Sequence, residues 1–338
     1  MGKSLAKSIL SGERRSLARL LTQVENRSSE GLATLDELFP YTGKAHLIGV
    51  TGAPGTGKSS LVNQIALLYR KPACGNPKQV AIVAVDPSSP FTGGAVLGDR
   101  VRMRDLAGDP GVFIRSMASR GSLGGLAQAT AAMVQVFDAA GYEVILIETV
   151  GAGQTEVDIA RLAHTTLVVE APGLGDEIQA IKAGILEIAD ILVINKADRP
   201  GVESTERALK TMLELAHPVR KVFRHHGQAL ELNGADTPDA KLWIPLIRRT
   251  VATEGQGLPE LLEAIGQHVA HLRSSGDWAR RERARLEAEF ELLFQEMLVA
   301  RFLSQIPQKS LDSMLESIQN RKVSPREAVN QLLDGSKS

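Results

Sequence analysis

The stretch GAPGTGKSS at residues 52–60 has the residue types and the spacing of a phosphate-binding loop. It fits the pattern G-x-x-x-x-G-K-[ST] after a predicted strand and before a predicted helix over residues 59–69, which is the context the pattern requires. Glycines let consecutive backbone N–H groups turn towards phosphate oxygens, a lysine adds positive charge at the outer phosphates, and a serine hydroxyl is a ligand for Mg²⁺. We therefore predict a nucleoside triphosphate site formed by the whole loop: Gly52, Ala53, Pro54, Gly55, Thr56, Gly57, Lys58, Ser59 and Ser60.

The motif INKAD indicates which base this site takes. It supplies Asn195, Lys196 and Asp198 at the end of a later apolar run. An aspartate carboxylate can accept hydrogen bonds from the ring N–H and the exocyclic amine of guanine, and adenine lacks that pair of donors. A lysine stem can lie along the site. The next predicted strand ends where such proteins usually offer backbone N–H groups to the base oxygen, and we predict GTP and GDP as ligands with contacts from Thr250, Val251 and Ala252.

The run YEVILIETVGAG at residues 142–153 ends a buried strand with a carboxylate and then a glycine. Guanine-nucleotide switches commonly carry an acid-x-x-Gly at the strand that faces the γ-phosphate. Glu148 can hold a Mg²⁺-bound water or orient the attacking water, and the Gly151 N–H can contact the γ-phosphate. The alternative is a structural Glu148 that caps the following helix or pairs with an arginine.

A second acid, Asp86, ends the run VAIVAVD and precedes a stretch rich in Pro, Gly and Ser. That stretch carries Asp99 and Arg102, and its composition predicts a mobile loop whose charged residues contact Mg²⁺, the γ-phosphate or a partner. A plain surface loop is the alternative. The predicted metal ligands are Ser59, Asp86, Asp99 and Glu148, and the predicted catalytic residues are Lys58, Asp86, Asp99 and Glu148.

Seven short apolar runs must position these residues: HLIGVTG, VAIVAVD, VFIRSM, EVILIET, TLVVEAP, ILVINKAD and WIPLIRRT. Runs that are apolar on both faces and alternate with helices predict an α/β fold with a mostly parallel sheet covered on both sides. Ligands of such sheets lie beyond the carboxyl ends of the strands. We predict three parts: an N-terminal helical extension over 1–42, with a break between two helices at Ser11 and Gly12, a P-loop domain over 43–272, and a C-terminal helical extension over 273–338.

The composition excludes several classes of protein. The 338 residues include 39 Lys and Arg and 39 Asp and Glu, and this balance argues against general binding to nucleic acid or to acidic membranes. The single cysteine, Cys74, excludes an internal disulfide and a multi-cysteine zinc site. Neither a membrane-spanning run nor a secretion signal is evident, so we expect a cytoplasmic protein.

Longer motifs make the chain resemble the MeaB/ArgK family. They are VDPSSPFTGGAVLGDRVRM, SRGSLGGLA, ETVGAGQTEVDIA, PGLGDEIQAIKAGILEIADI and NKAD, and the resemblance covers about residues 3–300. It implies a homodimeric P-loop GTPase that acts as a chaperone of a cobalamin-dependent acyl-CoA mutase of the methylmalonyl-CoA mutase type. Such a chaperone gates adenosylcobalamin loading and protects the mutase from inactivation. Whether a cobalamin adenosyltransferase joins the complex stays open.

By position, the resemblance assigns roles to residues of this chain. Asp86, Asp99 and Arg102 would belong to a first switch and the metal site, and Glu148 would lie in a second switch. Lys182 would belong to a third switch that contacts the partner. From the residues alone, Asp176, Glu177, Gln179 and Lys182 lie at the start of a predicted helix after PGLG, for which a solvated helix face is the alternative. The chain departs from the family pattern near residues 71–79 and beyond Ile306.

Two other functions are alternatives to a GTPase chaperone of a mutase. A metal-delivery GTPase of the nickel-maturation type shares the fold class and the switch acids, but one cysteine and scattered histidines argue against it. An ATP-dependent kinase acting on a transport protein is disfavoured by the Asn195 and Asp198 pair.

Overall fold

The computed structural model describes residues 4–87, 103–106, 108–119, 125–149, 155–173, 188–216, 224–225, 228–229 and 242–335. The chain divides into two compact units, Met1–Arg285 and Leu286–Ser338. Within the described ranges, no helix is both long enough and apolar enough to cross a membrane.

The first unit contains a seven-stranded sheet in which neighbouring strands are parallel. Its strands are β1 (His46–Thr51), β2 (Val80–Pro87), β3 (Val112–Ser119), β4 (Val144–Thr149), β5 (Thr165–Glu170), β6 (Ile191–Asn195) and β9 (Leu246–Thr250). The order across the sheet is β3-β2-β4-β1-β5-β6-β9. All seven predicted strands are confirmed, because central parallel strands are buried on both faces and show as continuous apolar runs. A two-residue pair, β7 (Arg224–His225) with β8 (Gln228–Ala229), is separate and antiparallel.

Helices surround this sheet. In the first unit they are α1 (Leu5–Leu10), α2 (Arg14–Glu25), α3 (Ser29–Leu38), α4 (Lys58–Arg70), α5 (Gly125–Ala139), α6 (Thr155–Leu162), α7 (Val202–Ala216), α8 (Leu258–Ser275) and the start of α9 (Asp277–Leu303). The predicted break falls between α1 and α2, where Gly12 adopts a positive φ of 83°. The helix predicted after the phosphate loop is confirmed as α4.

One face of the sheet packs against the N-terminal helices. Leu20 and Leu21 of α2 share a hydrophobic core with Val83 of β2, Ile145 of β4 and Phe137 of α5. These side chains are almost completely removed from solvent, so their burial contributes on the order of 2 kcal/mol each to the free energy of unfolding. The predicted N-terminal extension is therefore held on the sheet by apolar contacts.

The opposite face packs against α4 and α8. Leu61 and Ile65 of α4 and Leu261 of α8 meet Ile48 of β1 and Leu146 of β4 in a second core. This core fixes α4 beneath β1, the strand that leads into the phosphate loop. The first turn of α4 therefore has a fixed position relative to the carboxyl ends of the central strands.

A polar network closes the amino ends of the central strands. The guanidinium of Arg281 donates to both oxygens of Asp190, at 2.7 and 2.8 Å, and His268 Nε2 lies 3.2 Å from Asp190 Oδ1. The Thr165 hydroxyl contacts His268 Nδ1 at 2.9 Å and His46 Nε2 at 2.8 Å. Burial alone would raise the pKa of Asp190, but His268 and Arg281 outweigh it and lower that pKa to about 2. Burial, helped by the nearby His164 and His268, lowers the pKa of His46 to about 3.

The described part of the second unit consists of helices joined by short turns. It contains the remainder of α9, then α10 (Gln308–Gln319) and α11 (Pro325–Gly335). Ser324 caps α11 by accepting a hydrogen bond from the Glu327 N–H at 3.2 Å, as its position before Pro325 predicts. The apolar stripe of α9 is exposed: Phe290 and Met297 retain 67% and 70% of their accessible surface.

Candidate nucleotide-binding site

The phosphate loop joins the end of β1 to the start of α4. Gly52 has a φ of 138° and Gly57 a φ of 93°, backbone conformations that favour glycine. A Cβ on Gly52 would overlap the Val169 carbonyl oxygen of β5, and a Cβ on Gly57 would overlap the Asn195 side-chain nitrogen of β6. The loop therefore lies tightly against the carboxyl ends of two neighbouring strands, and both glycines of the motif are required there.

Lys58 is folded back onto this loop. Its ammonium donates to the carbonyl oxygens of Gly52, at 2.7 Å, and Ala53, at 2.9 Å. Only 6% of the residue is exposed, which places a positive charge inside the loop. An ammonium in this position is suited to the outer phosphates of a nucleotide, because a charge-assisted hydrogen bond is about twice as strong as a neutral one.

Ser59 and Glu148 meet at the edge of the loop. The Ser59 hydroxyl, in the first turn of α4, donates to Glu148 Oε1 at 2.6 Å. Glu148 lies opposite Val50 of β1 and is 1% exposed, so its carboxylate is a buried group at a strand end. A hydroxyl and a carboxylate oxygen at this separation are the hard oxygen donors that Mg²⁺ prefers. The described residues of the predicted metal site therefore fit Mg²⁺.

Asn195 joins three parts of the site and is itself 2% exposed. Its Nδ2 donates to the Thr56 carbonyl of the phosphate loop at 2.8 Å. Its Oδ1 accepts from the Thr250 hydroxyl at 3.2 Å and from the Ala252 N–H at 3.1 Å. This side chain therefore connects the end of β6 with the phosphate loop and with the end of β9.

Lys196 crosses from β6 to the phosphate loop. It is one of the described non-glycine residues with positive φ, at 56°, and its ammonium donates to the Gly55 carbonyl at 2.6 Å. Asp198 follows in a turn and is exposed. In this structure the Val251 and Ala252 N–H groups have protein acceptors, the Gln256 carbonyl at 3.0 Å and Asn195 Oδ1.

Several predicted residues are not placed by the structure. Asp86 lies in β2 opposite Ala118 of β3, and its side chain is not described. The other predicted switch residues lie outside the described ranges: Asp99, Arg102, Gly151, Asp176, Glu177, Gln179 and Lys182. Their roles stay predictions.

The sequence interpretation missed two threonines at the strand ends. The Thr149 hydroxyl of β4 donates to the Thr51 hydroxyl of β1 at 3.0 Å, and both side chains are completely buried. The sequence feature that could have identified them is a polar residue at the end of each of two apolar runs, directly before a predicted functional segment.

A glycine-rich loop between the first strand of a parallel sheet and a helix, with an N-K-x-D segment alongside it, defines a P-loop nucleoside triphosphatase. The family model for the methylmalonyl Co-A mutase-associated GTPase MeaB matches residues 17–306. The chain belongs to this MeaB/ArgK family of GTPases, and it binds guanine nucleotides and hydrolyses GTP.

Named relatives agree with this assignment. The chain is 41% identical to a putative GTPase of Pyrococcus horikoshii, with 98% of this chain and 96% of the relative covered. It is 35% identical to the GTPase ArgK of Escherichia coli, with 95% and 92% covered. The methylmalonic aciduria type A homolog of Caenorhabditis elegans, a mitochondrial protein, is 30% identical, with 84% and 70% covered. A crystal structure of an LAO/AO transport system kinase superposes with a TM-score of 0.66 at 26% identity, with 99% and 97% covered.

Proposed function

We propose that this GTPase is a chaperone of a cobalamin-dependent acyl-CoA mutase of the methylmalonyl-CoA mutase type. It would gate the loading of adenosylcobalamin and protect the mutase from inactivation. The observation that carries the proposal is the family match over residues 17–306, whose description names association with that mutase. The relative from Caenorhabditis elegans, named for methylmalonic aciduria, supports the same partner.

In the proposed mechanism, the phosphate loop binds the nucleotide and Lys58 neutralises its outer phosphates. Ser59 and Glu148, together with Asp86 and Asp99, would hold Mg²⁺, which would supply positive charge to offset the negative charge that develops on the phosphates. The Ser59 hydroxyl and the Glu148 carboxylate are already 2.6 Å apart, so both can contribute to one metal site. Asn195 would hold the loop in its binding conformation, while Asp198 would select guanine.

The output of this GTPase would be a change of conformation, with hydrolysis as the reset. We propose that Gly151 contacts the γ-phosphate and that Arg102 belongs to the first switch. A third switch would contact the partner, and it would contain Asp176, Glu177, Gln179 and Lys182. Loss of the γ-phosphate would release these segments, as in other nucleotide switches.

The mutase supplies the direct test. Addition of a methylmalonyl-CoA mutase should accelerate GTP hydrolysis by about 10-fold or more, because a partner that completes a sparse active site lowers the barrier. The two proteins should also co-elute in size-exclusion chromatography with a non-hydrolysable GTP analogue. Lys58→Ala is the control, since it should lose the effect of nucleotide on the complex. An unchanged rate together with no complex would rule out the proposed partner.

We also propose that two copies of the chain associate through α9. Its exposed apolar face includes Phe290, Phe294 and Met297, and exposed apolar patches mark interaction surfaces. Phe290→Glu should convert a dimer to a monomer in size exclusion with light scattering. Gln295→Glu, on the opposite side of the same helix, is the matched control. A dimer that survives Phe290→Glu would place the interface elsewhere.

Two measurements separate the alternatives. Calorimetry with GTP and ATP should show a strong preference for GTP, and equal affinities would favour the ATP-dependent kinase. Elemental analysis should find no stoichiometric nickel or zinc. Among the described residues, no group of three or more His, Cys, Asp or Glu side chains could hold a metal ion. Stoichiometric nickel or zinc would favour the metal-delivery GTPase.

A further inference from the structure

The threonine pair Thr51–Thr149 lies where β1 and β4 part from each other. Among the described strand residues, the ladder between β1 and β4 ends at the pair Val50 and Glu148. Beyond it, Thr51 pairs with Val168 of β5, and Thr149 pairs with Val85 of β2. The hydroxyl–hydroxyl hydrogen bond of 3.0 Å therefore joins the last residues of two strands at a level where their backbones no longer pair.

Each threonine is next to a functional residue. Thr51 precedes Gly52, whose carbonyl accepts a hydrogen bond from Lys58. Thr149 follows Glu148, whose carboxylate accepts from Ser59. Since successive side chains of a strand point to opposite faces, the Thr149 hydroxyl lies on the face away from the Glu148 carboxylate. The pair can therefore set the position of the β4 end without contacting the nucleotide.

A second contact on the same face joins β1 to α6. A Cβ on Gly49 would lie 2.7 Å from Ile159 Cγ2 and 3.2 Å from the Ala163 Cβ, so α6 packs closely on β1. Gly49 and Thr51 share one face of β1, because they are two residues apart. The Thr51–Thr149 hydrogen bond and the packing of α6 therefore lie on the same face of β1.

We propose that Thr51 and Thr149 are a positioning pair for GTP hydrolysis. Their hydrogen bond fixes the end of β4 relative to β1, and thereby the Glu148 carboxylate relative to Lys58 and Ser59. The pair acts on the hydrolysis step and not on nucleotide binding, because the loop that holds the phosphates is anchored separately through Asn195 and Lys196. The proposal depends on the GTPase activity alone and not on the mutase partner.

The competing explanation is that two buried threonines merely satisfy each other, in which case they contribute only to stability. Thr149→Val keeps the shape of the side chain and removes the donor, and Thr149→Ser keeps the hydroxyl. Thr165→Val is the matched control. It removes an equally buried threonine hydroxyl from the amino ends of the strands, where its partners are His46 and His268.

The experiment is single-turnover and steady-state GTP hydrolysis of the full chain, with GDP affinity and melting temperature measured beside it. Thr149→Val should lower kcat about 3- to 10-fold, which corresponds to one hydrogen bond, while KM and GDP affinity stay within about 2-fold. Thr149→Ser should recover most of the rate. Thr165→Val should lower the melting temperature and leave kcat unchanged.

Two results would overturn the proposal. In one, Thr149→Val loses stability like the control but keeps its kcat. In the other, its GDP affinity falls as much as its kcat, which would make the pair part of the binding site. If Thr149→Val does not fold, Thr51→Val, which removes the acceptor from the other strand, decides by the same criteria.

Discussion

Replacing Asn195 with alanine tests whether this residue holds the nucleotide site together. The side-chain amide makes three hydrogen bonds: to the Thr56 carbonyl at 2.8 Å, from the Thr250 hydroxyl at 3.2 Å and from the Ala252 N–H at 3.1 Å. Thr56 is completely buried and Ala252 is 3% exposed, so neither backbone group gains a water partner without a rearrangement. The substitution therefore removes a connector and leaves buried polar groups behind.

The magnitude follows from those groups. An unsatisfied buried donor or acceptor costs about 1–3 kcal/mol. Asn195→Ala leaves two such groups without their hydrogen-bond partner, the Thr56 carbonyl and the Ala252 N–H. We expect a loss of about 2–6 kcal/mol in the free energy of unfolding. At about 2–4 °C per kcal/mol for a unit of this size, the melting temperature should fall by on the order of 10 °C. Affinity for GTP and for ATP should decline together, because the phosphate loop loses its anchor.

Asp198→Ala is the comparison that makes this test specific. Asp198 is exposed and comes three residues after Asn195, so its removal should leave the melting temperature within about 1 °C. It should weaken GTP and GDP binding without changing the weak affinity for ATP. Differential scanning fluorimetry and fluorescent-nucleotide titration measure both effects. If Asn195→Ala melts like the parent chain, or Asp198→Ala melts as early as Asn195→Ala, the division of roles is wrong.

Three further predictions concern single residues. Lys58→Ala should weaken triphosphate binding about 10- to 100-fold, whereas Glu148→Ala should mainly slow hydrolysis, and an equal loss of GDP affinity in both would show that Glu148 is misassigned. Gly52→Ala should abolish nucleotide binding because its Cβ overlaps a backbone carbonyl, while Gly75→Ala, also at positive φ but with open space around it, should cost about 1–2 kcal/mol and leave binding intact. The pKa of His46 is lowered from 6.5 to about 3, so between these pH values the unfolded chain binds a proton that the folded chain does not. The free energy of unfolding should therefore decrease as the pH is lowered from 6.5 towards 3, by at most about 1.4 kcal/mol per pH unit. Urea unfolding from pH 7.5 to 4 measures that slope, and it should flatten in His46→Gln.

The sheet was predictable from the sequence because of how it is buried. Strands such as β4 are covered on both faces, so their residues read as one apolar run with no alternation to interpret. The helix α3 was harder to see. This helix has only ten residues, and the sequence signal for it was local: Ser28 caps it by accepting a hydrogen bond from the Gly31 N–H at 3.1 Å.

The site was only partly predictable, for a physical reason. The phosphate loop and the INKAD segment carry their chemistry in contiguous residues, so a pattern identifies them. The contacts of Asn195 with Thr56 and Ala252 join positions 139 and 57 residues apart in the chain. These contacts depend on which strand ends are neighbours, and no single sequence motif indicates the strand order β1-β5-β6-β9.

These cross-connections divide the site into two halves, and we propose that their functions are separable. On one side of β1, the β4 end is joined to the phosphate loop by Ser59–Glu148 and to the end of β1 by Thr51–Thr149. On the other side, the ends of β6 and β9 are joined to it through Asn195. Damage on the β4 side should therefore lower kcat at constant affinity, and damage on the β6 side should lower affinity. A double variant with one change from each side should show additive effects, since the two sets of contacts share no side chain.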